Sequence, residues 1–383
     1  MSPSSNDTVI VGMSGGVDSA VAALLLKESG CTVQGLFMSN WDDDDAYCTA
    51  AADFQDARRT CEVLEIPLHR VSFAGEYRER VFAHFLREYA AGRTPNPDVL
   101  CNREIKFGIC LDYMHRLGAT RVATGHYARL EGEGPDLRLR KAADATKDQS
   151  YFLHAVDRAA LARTSFPLGD MHKSEVRARA HAAGLPVYDK PDSTGICFIG
   201  ERPFQEFLAS HLRTEPGPIE DPAGCTVGEH RGLALYTLGQ RSGLGVGGRA
   251  GAAESPWYVA AKDVRRNVLI VVQDHDHPLL MSSSLEVDGM RWLVPPEALG
   301  PLFSGGPLAC GVKTRYRQAD LACRIERIGG ERLQVRLEHP ARAITPGQYA
   351  VFYDGDVCLG GGVITAPAAA RRATGPEEAR ILV

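Results

Sequence analysis

The first half of the chain alternates short apolar runs with longer segments in which apolar residues recur every three or four positions. Runs such as TVIVG and RVAT are typical of buried strands, and the segments between them are typical of amphipathic helices. This alternation predicts an α/β fold with a doubly wound, parallel sheet covered by helices on both faces. In chain order, we predict strands at 8–12, 32–38, 68–73 and 121–124 and helices at 18–29, 51–65, 77–90 and 104–117.

The pattern changes near residue 200. One helix is predicted at 203–212, and after it Gly and Pro interrupt short β-like runs such as LALYTLGQ and NVLIVVQ. From 285 to 365, evenly spaced short strands predict a small antiparallel barrel. A length of 383 residues fits two or three domains. We therefore expect an α/β domain at 1–202, a small mixed central domain at 203–280, a barrel at 281–365 and a poorly ordered tail at 366–383.

Charge and hydropathy exclude several classes of protein. Lys and Arg total 43 against 48 Asp and Glu, a net charge of −5, which excludes a uniformly basic nucleic-acid coat. No apolar run reaches the roughly 18 residues of a membrane helix, and the N-terminus lacks the regions of a signal peptide. We therefore expect a cytoplasmic protein with no membrane segment. Local basic clusters remain at Arg138–Lys141, Lys262–Arg266 and Lys313–Arg317.

The cysteine pattern does not indicate a zinc site. Ten cysteines are present, and no two of them have the C-x2-C spacing of a zinc knuckle or ribbon. His275 and His277 in DHDHP are interpreted as turn residues, because no third ligand lies nearby in the sequence. In a reducing compartment, most of the ten thiols should be small core residues.

The strongest motif is GMSGGVDS at 12–19, which lies between a predicted strand and a predicted helix. Gly15 and Gly16 allow the backbone to approach an anion, and the positive end of the following helix favours a phosphate there. No Gly-Lys-Ser/Thr follows, so the loop is not a Walker A sequence. It resembles the PP-loop of the ATP pyrophosphatases, with Asp18 as a candidate ligand for Mg²⁺. The alternative reading is a simple glycine turn at the start of a helix.

Two further segments are predicted to reach the same edge of the sheet. Met38 ends the second predicted strand, and Gly125 and His126 follow the strand at 121–124. Ligands bind at the carboxyl ends of strands in a doubly wound sheet, so Met38 is a candidate adenine contact. A core methionine is an equally good interpretation of Met38. The acidic run Asp42–Asp45 is interpreted as a solvated loop.

Two cysteines lie in turn-rich polar loops. Cys101 follows the prolines of TPNPDVLC, and we expect a helix to begin just after Asn102, which would place this thiol at a helix N-terminus and favour its thiolate. Asp98 is a candidate base three residues earlier. Cys197 lies between glycines in DSTGICFIG, in a loop that can move. Spacing alone does not bring the two thiols together; if they meet, the chemistry is thiol exchange or sulfur relay.

Together these segments resemble the tRNA-specific 2-thiouridylases of the bacterial MnmA type. The resemblance runs from residue 9 to about residue 365 and includes the motifs GMSGGVDS, GRTPNPDVLCNREIKF, ATGHYAR, KDQSYFL, FPLGDMHKSEVR, DSTGICFIGER and KTRYRQ. The PP-loop marks only the superfamily, whereas PNPDxxCN together with DSxGICF is specific to this family. Pro191 departs from the family pattern, which usually has a second basic residue at that position.

The resemblance implies a reaction. ATP adenylates the C2 oxygen of the wobble uridine at tRNA position 34, and persulfide sulfur then displaces AMP to give 2-thiouridine. Cys197 is implied as the persulfide carrier and Cys101 as the nucleophile that releases the sulfur, with a Cys101–Cys197 disulfide after turnover. The implied ATP-binding positions are Val11, Gly12, Met13, Ser14, Gly15, Gly16, Val17, Asp18, Ser19, Met38 and Gly125.

The resemblance also implies ligands and partners. ATP with Mg²⁺ is the expected nucleotide, the lysine, glutamate and glutamine tRNAs are the expected substrates, and a cysteine desulfurase or relay protein is the expected persulfide donor. The central domain and the barrel are expected to contact tRNA. The implied contacts with the target base are Asn96, Pro97 and Asp98, and those with the rest of the tRNA are His126, Lys147, Asp148, Gln149, Arg315, Tyr316 and Gln348.

Two other functions remain as alternatives. A PP-loop ligase that forms amides would adenylate a carboxylate, and it would need no pair of loop cysteines. A tRNA-binding protein whose PP-loop is a relic would need neither an intact SGGVDS sequence nor the cysteines. Release of AMP and pyrophosphate only in the presence of tRNA would distinguish the thiolation reaction from both.

Overall fold

The structure is a computed structural model, and it describes residues 7–41, 50–192, 204–246 and 255–368. Three units follow one another along the chain. The N-terminal unit holds a parallel sheet, the middle unit a small mixed sheet, and the C-terminal unit an antiparallel barrel. Among the helices of the described ranges, none has both the length and the hydrophobicity of a membrane-spanning segment.

The N-terminal unit alternates strands and helices, as the sequence predicts. Its strands are β1 (Thr8–Met13), β2 (Thr32–Ser39), β3 (Leu68–Ser72), β4 (Arg121–Thr124), β5 (Arg129–Glu131), β6 (Arg138–Arg140) and β7 (Thr164–Ser165). Its helices are α1 (Val17–Glu28), α2 (Ala50–Val63), α3 (Ala74–Tyr77), α4 (Ala83–Ala90), α5 (Pro97–Leu100), α6 (Cys110–Arg116), α7 (Ser150–Leu153), α8 (Arg158–Ala162) and α9 (Lys173–Ala182).

The parallel sheet has the strand order β3-β2-β1-β4-β7. β1 lies at its centre, where Val11 pairs with Gly35 on one side and Ala123 on the other. Val9 and Val11 are completely buried, which explains why this strand is a continuous apolar run. The order of strands reverses beside β1, so a ligand site is expected at the carboxyl ends of β1 and β4.

Two helical segments widen into π-helical turns, at Arg78–Phe82 and Cys101–Ile109. Each continues the helix before it, so the helix predicted at 77–90 begins at Ala74 and the helix predicted at 104–117 begins at Pro97. π-Helical turns are rare and occur often at functional sites. The second of them begins at Cys101.

The described residues of the middle unit form a four-stranded sheet and one α-helix. Its elements are α10 (Phe204–His211), β8 (Gly217–Glu220), β9 (Thr226–His230), β10 (Trp257–Asp263) and β11 (Val268–Gln273). The order is β10-β11-β8-β9, and β11 and β8 are parallel. The β-like reading of LALYTLGQ is wrong: Leu233–Leu235 form a 3-10 turn after Gly232, whose φ is +130°.

The C-terminal unit confirms the predicted antiparallel barrel. Its elements are β12 (Met281–Trp292), α11 (Gly300–Phe303), β13 (Leu308–Lys313), β14 (Leu321–Gly329), β15 (Arg332–Arg342), β16 (Tyr349–Asp354) and β17 (Val357–Ala368). The strand order β12-β15-β14-β13-β16-β17 closes through pairing of β12 with β17. β17 continues through Ala368, and residues 369–383 lie outside the described ranges.

The N-terminal unit also contributes a hairpin to the sheet of the barrel. β5 and β6 pair with each other, and Arg140 of β6 pairs with Val357 of β17. Asp356 accepts hydrogen bonds from Arg129 at 2.9 Å and from Arg140 at 2.7 Å. The first and last units are therefore joined by both backbone and side-chain contacts.

Candidate active site

The glycine-rich loop lies between β1 and α1. Ser14 N–H donates to Ser19 Oγ at 3.1 Å, and Ser19 Oγ donates to the carbonyl of Gly16 at 3.0 Å, which closes the turn. Gly15 has a φ of +74°, a conformation that favours glycine. Gly16 is the N-cap of α1 and makes no side-chain cap to the helix, so the positive end of α1 is suited to an anion.

The other predicted nucleotide contacts lie at the same edge of the sheet. Gly125 follows β4, and a Cβ atom there would lie 2.7 Å from backbone atoms of Asp18 and Ser19, so the strand end packs directly on the start of α1. Met38 is the penultimate residue of β2 and is partly buried against the core. The structure thus places the loop, Met38 and Gly125 at the carboxyl ends of three neighbouring strands.

Asp18 is held by two groups that the sequence analysis did not single out. Lys173 Nζ lies 2.7 and 2.8 Å from its two carboxylate oxygens, and the Tyr127 hydroxyl donates to Oδ1 at 2.8 Å. Burial, together with the charge of Asp18, raises the pKa of Tyr127, which stays neutral. Lys173 is the first residue of α9, where the helix dipole disfavours a cation. A lysine in that position is the signal that would have identified it.

Lys173 also joins Asp18 to Asp192. Its ammonium lies 2.7 Å from Asp192 Oδ1, and Lys147 and Arg177 pair with the same carboxylate at 2.7 and 3.2 Å. Partial burial opposes ionisation of Asp192, but hydrogen bonds from Lys147 and Lys173 hold its pKa below the ordinary value. Asp192 is the last described residue before the segment with Cys197. Cys197 itself and the run Asp42–Asp45 lie outside the described residues.

A second lysine lies against the glycine-rich loop. Lys190 Nζ donates to the carbonyl of Gly15 at 2.9 Å and pairs with Asp53 and Asp56 of α2 at 2.7 and 2.6 Å. A Cβ atom on Gly15 would lie 2.3 Å from the carbonyl oxygen of Asp53, so α2 starts in contact with the loop. Two lysines and three carboxylates therefore surround the turn.

The predicted start of the helix at Cys101 is wrong. Asn96 Oδ1 accepts a hydrogen bond from Asp98 N–H at 3.2 Å, and Pro97 occupies the first helical position. An Asn N-cap followed by Pro is a strong helix start, and it places the beginning of the helix four residues before the cysteine. Cys101 therefore lies one turn into the helix rather than at its N-terminus, and it is only 1% exposed.

Two polar residues, Asp98 and Asn102, lie close to Cys101 in the sequence. Asp98 is partly buried; burial raises the pKa of its carboxyl, while the charge of Lys106 opposes this effect. Asn102 is buried, and its Nδ2 donates to the carbonyl of Phe152 at 3.2 Å. Its Oδ1 has no hydrogen-bond partner among the residues that the structure describes.

One short segment, residues 147–153, contacts groups near the glycine-rich loop, near Cys101 and at Asp192. Lys147 pairs with Asp192, five residues before Cys197. Gln149 accepts from the backbone of Tyr127 at 2.9 Å, and Tyr127 in turn binds Asp18. Phe152 accepts from Asn102, the neighbour of Cys101. The segment therefore contacts Tyr127 beside the PP-loop, the neighbour of Cys101, and Asp192, the last described residue before Cys197.

Several side chains that were predicted to contact tRNA bind or pack against other groups of the protein. Asp148 is buried and accepts from Ala142 N–H, Ser150 and Lys313. His126 is buried beside Phe107 and Phe166, and burial lowers its pKa well below the usual range, so the imidazole is neutral.

In the barrel, Arg315 donates to the carbonyl of Ala343 at 2.6 Å. The ring of Tyr316 packs on Phe152 with a centroid distance of 4.3 Å. Gln348 Nε2 donates to the carbonyl of Thr94 at 2.8 Å, so its amide is used by the loop before Cys101. The structure thus brings Lys147, Asp148 and Tyr316 to one place and Gln348 to another.

A cavity of about 750 Å³ opens between the segment 141–148 and the loop that joins β13 to β14. Its basic side chains are Lys141, Lys147, Lys313 and Arg317, and Tyr316 supplies an aromatic surface. Lys313 is buried, but it is paired with Asp148 at 3.3 Å. Arg317 is exposed and lies over the ring of Tyr316, with 5.9 Å between the guanidinium carbon and the ring centroid. Cations interleaved with aromatic rings are typical of RNA-binding surfaces.

Metal-binding clusters were sought in the same ranges. Within residues 7–41, 50–192, 204–246 and 255–368, no group of three or more His, Cys, Asp or Glu side chains is arranged to bind a metal ion. Any divalent ion at the glycine-rich loop would take most of its ligands from phosphate and water, as Mg²⁺ commonly does.

Family models match all three units. The model described as tRNA methyl transferase HUP domain matches residues 7–201, the tRNA methyl transferase PRC-barrel domain matches 205–273, and the aminomethyltransferase beta-barrel domain matches 282–364.

Curated relatives named tRNA-specific 2-thiouridylase MnmA are similar along almost the whole chain. The Chromohalobacter salexigens protein is 56% identical over 360 residues, 93% of this chain and 92% of its own. The Bordetella pertussis protein is 55% identical over 374 residues, 94% of this chain and 99% of its own.

The fold and the loop at its switch point define a PP-loop nucleotide-binding protein with two appended β units. Identity above half, over more than nine-tenths of each of these relatives, then fixes the family. The chain belongs to the tRNA-specific 2-thiouridylase MnmA family. Solved structures are more distant: the NMN synthetase of Francisella tularensis is 22% identical, covers 50% of this chain and 67% of its own, and has a TM-score of 0.33. Nothing about function follows from a likeness of that size.

Proposed function

We propose that the protein is an ATP-dependent tRNA 2-thiouridylase that replaces the C2 oxygen of the wobble uridine, position 34, with sulfur. The observation that carries this proposal is the position of residues 147–153. Through Tyr127, this segment contacts the carboxylate of the PP-loop, and it also bonds to Asn102, the neighbour of Cys101, and to Asp192, which lies five residues before Cys197 in the sequence. This arrangement supports a reaction that couples adenylation to sulfur transfer.

The residues at the loop fit a polyphosphate. The start of α1 supplies positive charge, and Gly15 and Gly16 keep side chains out of the turn. The ammonium groups of Lys173 and Lys190 lie beside the loop, where phosphate would compete for them with the carboxylates they now pair with. ATP is therefore the proposed co-substrate, with Met38 and Gly125 beside the nucleotide. Asp18 is the proposed protein ligand of Mg²⁺, which would compete with Lys173 for the same carboxylate.

The chemistry requires activation of a poor leaving group. Adenylation of the C2 oxygen makes AMP the leaving group, and the outer sulfur of a Cys197 persulfide attacks C2 and displaces it. The Cys101 thiolate then attacks the Cys197 sulfur and breaks the S–S bond, whose electron pair remains on the sulfur that becomes the C2 thiocarbonyl. A Cys101–Cys197 disulfide results, and a thiol reductant must reduce it before the next cycle. Asp98 is the proposed base that removes the Cys101 proton.

The proposed substrates are the tRNAs for lysine, glutamate and glutamine. Asn96, Pro97 and Asp98 are the proposed contacts with the target base, which must leave the anticodon stack to reach them. His126, Lys147, Asp148, Gln149, Arg315 and Tyr316 are the remaining proposed tRNA-contact positions. Gln348 is not among them, because its amide is already bonded to the carbonyls of Thr94 and Pro95. A cysteine desulfurase or a relay protein is the proposed source of persulfide sulfur.

Thiolation by purified protein tests the proposal. The protein is incubated with tRNA transcript, ATP, Mg²⁺ and a cysteine desulfurase with cysteine, and nucleosides are analysed by mass spectrometry. We expect 2-thiouridine at position 34 and release of AMP and pyrophosphate only when tRNA is present. Cys197→Ser should lose persulfide loading, whereas Cys101→Ser should load persulfide and fail to turn over.

Other outcomes favour the alternatives. Nucleotide cleavage that needs no tRNA and survives replacement of both cysteines would indicate an amide-forming ligase. tRNA binding without any nucleotide cleavage would indicate a non-catalytic tRNA-binding protein. Labelled sulfur found on Cys101 in the Cys197→Ser variant, with thiolation retained, would reverse the proposed roles of the two cysteines.

A further inference from the structure

The loop that leads to Cys101 is held in place by the barrel. Thr94 N–H donates to the carbonyl of Pro346 at 2.9 Å. In the opposite direction, Gln348 Nε2 donates to the carbonyl of Thr94 at 2.8 Å and to that of Pro95 at 3.4 Å. The polar groups of this short stretch of backbone are thus met by residues far away in the sequence.

The barrel approaches this loop so closely that a side chain would not fit. Gly347 has a φ of +91°, and a Cβ atom there would lie 2.9–3.0 Å from the N, C and O atoms of Thr94. The backbone of Gln348 is itself fixed in the barrel, because its N–H donates to Thr345 and its carbonyl accepts from Ile364. The side chain of Gln348 therefore reaches the loop from a rigid base.

The middle unit holds the same loop from its other end. Lys262 of β10 is buried, and its ammonium donates to the carbonyl of Gly92 at 3.0 Å. Thr237 Oγ1 lies 3.5 Å from Thr94 Oγ1. Lysine is seldom buried, so the bond of Lys262 to the turn after α4 indicates that this turn is held in one position.

We propose that Gln348 is a positioning residue for the thiolation reaction, which holds Thr94 and Pro95 so that Asn96, Asp98 and Cys101 face the target base. The inference rests on the proposed function. Two prolines flank Asn96, and each has a fixed φ, so a displacement of Thr94 is carried along the loop to the start of α5 rather than absorbed. Through Gln348, the position of the Cys101 thiol therefore depends on how the barrel packs against the loop.

Three variants separate this role from simple tRNA contact. Gln348→Met keeps the length of the side chain and removes the donor, and Gly347→Ala moves the loop without changing Gln348. Gly305→Ala is the matched control, because Gly305 has a φ of +87° in the same unit and a Cβ atom there meets no atom within 4 Å. Each variant is assayed for thiolation at saturating tRNA, for tRNA affinity and for thermal unfolding.

We expect Gln348→Met and Gly347→Ala to lower the thiolation rate at saturating tRNA by about 10- to 100-fold, the cost of a misplaced reacting group. Their tRNA affinity should stay within about twofold of the native value, because a positioning residue makes no contact with tRNA. Measuring affinity apart from the rate at saturation distinguishes altered binding from altered chemistry. Gly305→Ala should introduce the strain of an alanine at positive φ without displacing the loop before Cys101, so it should thiolate at the native rate. A native rate at saturation with weakened affinity would make Gln348 a tRNA contact and overturn the inference.

Alkylation of Cys101 provides a readout that does not depend on thiolation. The thiol is 1% exposed, so iodoacetamide should modify it slowly in the native protein and in Gly305→Ala. Gln348→Met and Gly347→Ala should be modified faster at Cys101, as followed by peptide mass spectrometry. Equal rates in all four proteins would overturn the inference even if no 2-thiouridine formed. Absence of 2-thiouridine in the native protein would instead contradict the proposed function.

Discussion

Lys173 Nζ lies 2.7 Å from Asp18 Oδ1, and the same ammonium lies 2.7 Å from Asp192 Oδ1. One lysine therefore joins the carboxylate of the PP-loop to the residue that precedes the segment with Cys197. Neither carboxylate can change its charge or its ligand without affecting the other. The glycine-rich loop and Asp192 thus share an electrostatic connection.

The first prediction concerns the carboxylate of Asp18. Asp18→Asn should lower the rate of tRNA-dependent pyrophosphate release by about 100-fold, because it removes one preorganised charge from the nucleotide site. tRNA binding should be unchanged. Tyr127→Phe is the matched control, since it removes the 2.8 Å hydrogen bond to Asp18 but leaves the charge. Pyrophosphate release at the native rate in Asp18→Asn would exclude Asp18 from the reaction.

The second prediction concerns pH. Burial raises the pKa of Asp98, so its carboxylate form is lost at a higher pH than for a free aspartate, whose pKa is about 4. If Asp98 acts as a base, the rate of sulfur transfer falls as the pH drops through this raised pKa. Asp98→Asn should lower the single-turnover rate by about 100-fold and abolish this acid limb.

Asp112→Asn is the control for Asp98, because Asp112 is an exposed carboxylate further along the same helical stretch. It should leave the pH profile of single turnover unchanged. An acid limb that persists at full amplitude in Asp98→Asn would assign the titration to another group.

The third prediction compares two arginines of the β13–β14 loop. Arg317→Ala should weaken tRNA binding and reduce the slope of log affinity against log salt by about one unit, as expected for loss of one phosphate contact. ATP binding should not change. Binding is measured at several salt concentrations. An unchanged slope and affinity would place Arg317 outside the interface.

Arg315 should behave differently. Its guanidinium donates to the carbonyl of Ala343 at 2.6 Å, so Arg315→Ala removes a hydrogen bond as well as a charge, while Thr345 Oγ1 still donates to that carbonyl at 2.9 Å. We expect the free energy of unfolding of the barrel to fall by about 1 kcal/mol, in addition to weaker tRNA binding. Thermal unfolding of the two variants side by side checks this difference, and equal stability would contradict it.

The fourth prediction concerns a second pair of thiols. Cys310 and Cys323 lie opposite each other on β13 and β14, with 3.6 Å between their sulfur atoms. Oxidised glutathione should convert them to a disulfide and release two molecules of glutathione. Closing a loop of this length stabilises a protein by about 3 kcal/mol in the chain-entropy model. Non-reducing peptide mapping detects the bond, and Cys323→Ser should prevent it.

Such a disulfide matters for tests of the proposed pair Cys101 and Cys197. Any disulfide found after turnover must be assigned to particular cysteines, since a reductant would reduce a disulfide in either pair. If oxidised glutathione leaves both Cys310 and Cys323 alkylatable after unfolding, the prediction fails.

The sequence alone predicts the parallel sheet well. The strand expected at 121–124 is β4, and the strand expected at 8–12 is β1 with one more residue. These strands are buried on both faces, so burial itself dictates their apolar composition. β5 and β6 were missed because each has three residues and carries charged side chains that pair with Asp356, which only the fold brings near.

The site was predicted in part. The glycine-rich loop, Met38 and Gly125 follow from strand ends, because those ends meet at one edge in any doubly wound sheet. The contacts of Lys173 with Asp18 and of Gln348 with Thr94 could not be predicted, since each pair lies more than a hundred residues apart in the sequence. The helix start before Cys101 could have been predicted, because Asn96-Pro97 is a helix-capping signature.

The hairpin of β5 and β6 limits how the C-terminal barrel can be transferred to another protein. A gene fragment that encodes only the C-terminal barrel would leave β17 without its partner at Val357 and Asp356 without Arg140. An unpaired strand edge of this kind invites pairing with other chains, and it is a common cause of aggregation. Grafting this barrel onto another enzyme would therefore require residues 129–140 to be transplanted with it.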